Sequence, residues 1–176
     1  HKFIDPDGMD WLIMAAEDGD TQAAQRARQT IGAALNLIDR EQGGIYQYSD
    51  AEDWKSPHFE KIMWYQSNGL RQFSAAYAMW KDPAYLAAAS SIARYLNTVL
   101  LSPDGAFYTS QDADVDAAMP GNIYYALSMS ERTALGRHPR ADTNIYAREN
   151  GWAISGLVAY SNATADAASL FAAQRA

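Results

Sequence analysis

Apolar residues recur along this chain at helical intervals, interrupted twice by turns rich in glycine and aromatic side chains. From Asp20, a good N-cap, apolar positions fall at Ala24, Ala27, Ile31, Leu35 and Ile38, one face of a helix that should end near Arg40. Ser56 can cap and Pro57 suits a first helical position, so the spacing predicts a second helix from about Pro57 to Lys81. Asp82-Pro83 repeats the start signal, and Tyr85, Ala89, Ile92, Leu96 and Val99 mark the buried stripe of a third. A shorter apolar segment around Trp11 and Met14 reads as the end of a helix closing at Glu17-Asp18-Gly19. Between Asp114 and Asp142 the pattern weakens, with turns at Pro120-Gly121, Gly136 and Pro139 around a short helix near Ser130 to Leu135. Helical spacing returns from about Tyr146 to Tyr160, and a last helix starts near Thr164 to Asp166.

The first interruption is Gly43-Gly44-Ile45-Tyr46-Gln47-Tyr48, running on through Trp54 and Ser56-Pro57-His58-Phe59-Glu60-Lys61. A weaker copy is Asp104-Gly105-Ala106-Phe107-Tyr108, followed by Ser110-Gln111-Asp112-Ala113-Asp114. Similar alanine-rich text follows Asp20, Asp82 and Asp166, so the chain reads as a repeat of helix, loop and helix, the pattern of stacked hairpins. The expected class is all-α, one helical-hairpin domain over residues 1–176, with both aromatic loops feeding the ends of inner helices.

On a helical wheel, Phe59, Ile62, Met63, Leu70, Phe73, Tyr77 and Trp80 share one side of the second helix, while Glu60, Trp64, Asn68 and Arg71 share the other. In the Tyr146 helix, Ile154, Leu157 and Val158 oppose Arg148, Glu149 and Trp152. A tryptophan among polar groups fits either a solvent-facing side partly covered by a neighbour or the wall of an aqueous pocket. At a helix start, His58 would be largely neutral near pH 7 and able to accept a proton, and Glu60 ionised, although a histidine there also serves purely structural ends. Asp112, Asp114 and Asp116 resemble the first half of a calcium loop, but Ala117 stands where glycine is needed and Ile123 where the closing acid belongs. These carboxylates would therefore hydrogen-bond a polyhydroxyl ligand or cap turns. No nucleophile elbow, phosphate loop, dinucleotide fingerprint or zinc-protease motif is present.

Composition narrows the classes further. With 48% hydrophobic residues among 176 and no cysteine, the chain can bury a core but offers no disulfide, thiolate metal site or thiol redox chemistry. Its net charge of −7, with 14 basic residues scattered among 21 acids, argues against a nucleic-acid partner. No apolar run is long enough to span a membrane, and a cytoplasmic, reducing setting is the expected one. The chain opens on His1 and stops inside a helical pattern, as a piece of a longer protein would.

At Gly44-Ile45-Tyr46-Gln47-Tyr48-Ser49, Pro57-His58-Phe59-Glu60-Lys61, Ser110-Gln111-Asp112-Ala113-Asp114 and Tyr146-Ala147-Arg148-Glu149-Asn150-Gly151-Trp152 the chain closely resembles the YyaL-like, spermatogenesis-associated protein 20 family. Members of that family join a thioredoxin-like domain to a six-hairpin, glycosidase-like helical barrel similar to those of sugar epimerases and glycoside hydrolases. The resemblance implies a partial (α/α)6 toroid of about three hairpins, completed by other chains or by further sequence, with no cofactor and no metal. The function it implies is binding or converting a sugar-like ligand, as an epimerase or isomerase or as a glycosidase. His58, Glu60 and Glu149 are the proton-transfer candidates, and Tyr46, Trp54, Trp64, Tyr108, Gln111, Asp112, Asp114, Arg148 and Trp152 the binding candidates. The alternative is a non-catalytic scaffold that presents the barrel to a protein partner beside a thioredoxin-like domain.

Overall fold

The computed structural model describes all residues from 1 to 176. Its helices are α1 (Pro6–Glu17), α2 (Thr21–Ala34), α3 (Met63–Trp80), α4 (Pro83–Tyr95), α5 (Gly121–Tyr124), α6 (Met129–Leu135), α7 (Ala147–Thr164) and α8 (Ala167–Arg175). Asp20, Asp82 and Asp166 each accept hydrogen bonds from backbone amides of the helix they precede, which satisfies donors that the first turn leaves free.

Three antiparallel hairpins result: α1 with α2, α3 with α4, and α7 with α8. Helix α3 packs between α1 and α7, so these three form one layer and α2, α4 and α8 the other. The two longer hairpins are built alike. Helices α3 and α7 have 18 residues each, end on a left-handed residue, Lys81 and Ala165, and pass at once to the capping aspartate of the next helix. The core lies between the layers, where Ile31, Leu70, Phe73, Ile92 and Leu157 are completely buried. Side chains of that size contribute roughly 1.5–3 kcal/mol each when withdrawn from water. Ser67 of α3 bonds the Trp152 carbonyl of α7, and Gly156 rests on Ser67, so these two helices approach closely.

Two expectations about element bounds are corrected. Helix α2 stops at Ala34, and a tight 3-10 turn over Leu35–Leu37 leads to Ile38 in extended backbone, bridged to Ile45. The larger correction concerns the Ser56-Pro57 start signal. Residues 57–62 are not helical: the short strands β1 (Tyr48–Ser49) and β2 (Pro57–His58) pair, while β3 (Lys61–Ile62), β4 (Ser110–Gln111) and β5 (Ala141–Asp142) form a three-stranded patch. Pairing with distant strands outweighs a local capping signal, and α3 begins only at Met63. Phe59, Glu60 and Ile62 therefore share no helix face with Leu70 or Asn68, and the field of a helix start does not act on His58 or Glu60.

Candidate rim site

Both glycine-aromatic turns and the starts of α3 and α7 lie at the same end of the hairpins, stitched together by backbone bonds. The Met63 amide donates to the Thr109 carbonyl at 2.9 Å and the Thr109 amide to that of Asp142 at 3.0 Å. Each turn is held by a side-chain amide from the fourth residue of an inner helix. Gln66 accepts from the Ile45 amide at 2.8 Å and donates to the Ile45 carbonyl at 2.5 Å. Asn150 does the same for Phe107, at 2.7 and 3.1 Å. Gly44 must be glycine here: its φ is +84°, and a Cβ would stand 2.9 Å from the Gln66 oxygen and the Tyr95 ring.

The sequence candidates divide into separate groups along this rim. His58 is paired in register with Tyr48 and its ring is stacked on the tyrosine at 4.9 Å, while its Nε2 lies 3.8 Å from Glu60 Oε2. Trp64 packs edge-on against Tyr65 at 4.7 Å and faces Phe3. Trp54 sits in the β1–β2 loop with left-handed backbone, half-buried against the core, as Tyr108 is at the second turn. At the start of α7, Glu149 is 4% exposed; Oε1 accepts from Arg148 Nη2 at 2.8 Å, whereas Oε2 has no hydrogen-bond partner. The Arg148 guanidinium lies 4.9 Å from the centre of the Trp152 ring.

The Gln111–Asp116 loop is occupied by its own contacts. Buried Gln111 accepts from the Tyr95 hydroxyl and donates to the Pro139 carbonyl. Asp114 caps the Gly121 amide, Asp116 caps Ala118 and Met119 and pairs with Arg137, and Asp112 meets Arg140 at 3.3 Å. The five principal surface hollows are lined by none of His58, Glu60, Glu149 or Trp152.

What the sequence reading missed is a buried charge cluster behind the first turn. Asp39 Oδ2 accepts from Lys61 Nζ and from Arg132 Nη1, both at 2.8 Å, and Oδ1 accepts from Arg132 Nη2 and the Glu41 amide. Lys61, fully buried, also donates to the Gly43 carbonyl and lies 4.6–5.5 Å from the ring centres of Tyr95, Tyr125 and Tyr46. Burial alone would raise the Asp39 carboxyl, but the Lys61 charge and the bonds from Arg132 and Lys61 hold it below its ordinary value. Burial pulls Lys61 down to about 8 despite Asp39, because one carboxylate faces two cations and Arg132 repels the ammonium. Burial, followed by the Asp39 charge, pushes the Tyr46 and Tyr125 hydroxyls well up. Tyr46, Tyr125 and Ser128 line a hollow of about 440 Å³ beside this cluster. Its members are 22 and 93 residues apart, and only the lysine within the first aromatic segment offered a local sign of it.

The structural neighbours agree with this architecture. No protein-family model matches the chain. It is 30% identical over 106 residues to human spermatogenesis-associated protein 20 and 29% identical to the mouse protein; the human match covers 59% of this chain and 14% of that protein. A family 76 glycoside hydrolase from a bovine Bacteroides thetaiotaomicron strain superposes with a TM-score of 0.69 at 17% identity, over 96% of this chain and 32% of its own. An inactive α-1,6-mannanase variant from Salegentibacter sp., in complex with α-1,6-mannotriose, gives 0.68 at 16% identity, over 96% and 43%. Cellobiose 2-epimerase from Spirochaeta thermophila gives 0.54 at 21% identity, over 88% and 35%. The chain is thus homologous to spermatogenesis-associated protein 20 over 59% of its length and folds as part of a six-hairpin (α/α)6 toroid.

Proposed function

We propose that this chain is a segment of a carbohydrate-binding or carbohydrate-converting barrel, holding a sugar-like ligand at the rim where α3 and α7 begin. The observation that carries this reading is Glu149. A buried carboxylate oxygen without a hydrogen-bond donor is costly, and a ligand hydroxyl would satisfy it. Trp152, Trp64 and Tyr108 supply aromatic faces for a sugar ring, and Arg148 a donor. The His58–Glu60 pair is the group suited to proton transfer, next to a carbonyl in an epimerase or at a glycosidic oxygen in a hydrolase. Sugar-converting enzymes among the structural neighbours support the ligand class.

The ring is completed by further hairpins, from additional sequence or from other chains. Trp11 and Met14 on α1, 62% and 64% exposed, and Leu170 and Phe171 on α8, 40% and 61% exposed, mark the two hairpins that such additions would cover. Calorimetric titration of this chain, and of a chain carrying the whole barrel, with mannose, cellobiose and α-1,6-mannotriose tests the reading. Saturable binding that falls at least about tenfold, a loss of ~1.4 kcal/mol, in Glu149→Gln is expected. Absence of binding to both, or an unaffected Glu149→Gln variant, would sink it.

A further inference from the structure

Two hollows that do not include Glu149 or Trp152 are lined by two arginines each, and they differ in whether those arginines are engaged. Beside Tyr124, Arg132 is bonded to Asp39 and to the Tyr125 and Leu127 carbonyls, and Arg137 is paired with Asp116, so that hollow of about 210 Å³ has little left to offer a ligand. The groove of about 420 Å³ between the end of α2 and α4 is different. Leu35, Ile38, Ala84 and Ala88 give it an apolar floor, and Arg40 and Arg94 lie along it. Neither arginine is paired with a carboxylate, in a chain where 21 acidic residues face 14 basic ones. No acidic residue lines the groove.

The groove is also polar at one end only. The Gly44 amide donates to the Ser91 carbonyl at 3.4 Å, and a Cβ on Gly43 would stand 3.3 Å from Arg94 Nη2, so the Arg40–Gly44 turn lies against the end of α4 that carries Arg94. Ala84 is in the first turn of that helix, at the opposite end. The Ser91 hydroxyl, at the Arg94 end, has no hydrogen-bond partner.

We propose that this groove binds a small organic anion with an apolar body, a monocarboxylate whose chain lies along Leu35, Ile38 and Ala88 while its carboxylate meets Arg40 and Arg94. Guanidinium groups match a carboxylate geometrically, and a concave apolar surface with a few convergent polar groups is the usual form of a small-molecule site. Octanoate titrated into the 176-residue chain, followed by backbone amide NMR shifts with octanol as the neutral control, tests this. Saturable shifts at Ile38, Gly43 and Ser91 are expected, with octanoate at least about tenfold tighter than octanol, since hydrogen bonds to charged groups are among the stronger ones. Arg40→Gln combined with Arg94→Gln brings octanoate down to octanol, and Ala87→Leu, at an exposed position of α4, blocks both while circular dichroism stays helical. Equal affinity for the two probes, shifts confined to Trp11, Met14, Leu170 and Phe171, or no saturation would overturn the proposal.

Discussion

At the first glycine-aromatic turn, Ile38 bridges Ile45, the Tyr46 amide donates to the Leu37 carbonyl and Gln66 clamps Ile45. At the second, Leu101 bridges Phe107, the Tyr108 amide donates to the Leu100 carbonyl and Asn150 clamps Phe107. The bonding pattern repeats, with the first turn one residue longer, yet what the turns enclose differs. Asp39 in the first turn anchors Lys61 and Arg132, whereas its counterpart Ser102 is buried with a hydroxyl that bonds nothing. One scaffold thus holds a closed ion cluster at one turn and, at the neighbouring helix start, a buried carboxylate, Glu149, with one oxygen unpartnered. The repeat supplies position, and the residue at each position decides whether the polar groups there are paired.

The sharpest way to break that comparison is to treat the two counterparts alike. Asp39→Ala strands two buried cations and should lower stability by ~3–5 kcal/mol in urea denaturation. Ser102→Ala removes a hydroxyl without a partner and should stay within ~0.5 kcal/mol. Lys61→Met keeps the Asp39–Arg132 pair and should lie near the wild type. Gln66→Leu and Asn150→Leu each orphan one buried amide and one carbonyl, so both should cost ~2–4 kcal/mol if the clamps are equivalent. A marked inequality would show that the turns are alike only in outline.

The pH dependence sharpens the contrast because only the first turn titrates in this way. Folded Lys61 releases its proton near 8 and an unfolded lysine near 10.5, so across that window the unfolded chain binds more protons and stability rises with pH. The tyrosine hydroxyls act oppositely: held above their ordinary 10.0, they contribute stability that is lost as pH climbs past 10. A rise on the order of 1–2 kcal/mol from pH 8 to 10 is expected, absent in Lys61→Met. A small stabilising effect belongs to the joints, where Ala165→Gly relieves a left-handed residue and should gain ~0.5–1 kcal/mol. Lys81→Gly should gain less, because Lys81 also lies 5.0 Å from the Tyr77 ring centre.

The hairpins were legible because their signals are local. An aspartate before a helix, an apolar stripe and a glycine turn all act within a few residues, and Asp20, Asp82 and Asp166 cap as the sequence implies. Ser56-Pro57 misled for the complementary reason: the partners of residues 57–62 are Tyr48, Ser49, Ser110 and Gln111, and no local rule weighs them. Phe59 likewise stacks on Tyr125 at 5.2 Å instead of joining a helix face. The ion cluster was invisible because nothing near Asp39 announces a lysine and an arginine from two other segments. Glu149 stands out in the sequence as a first-turn carboxylate with a tryptophan three residues on, but its burial comes from the packing of α7 on α3.

The connections are lopsided. Two residues join Trp80 to Pro83 and two join Thr164 to Ala167, while the opposite ends are linked by the long stretches from Leu37 to Met63 and from Leu100 to Ala147. Inserted or exchanged sequence therefore has somewhere to go at one pole alone. There the hairpins can acquire new chemistry without being rebuilt, and the other pole fixes their spacing.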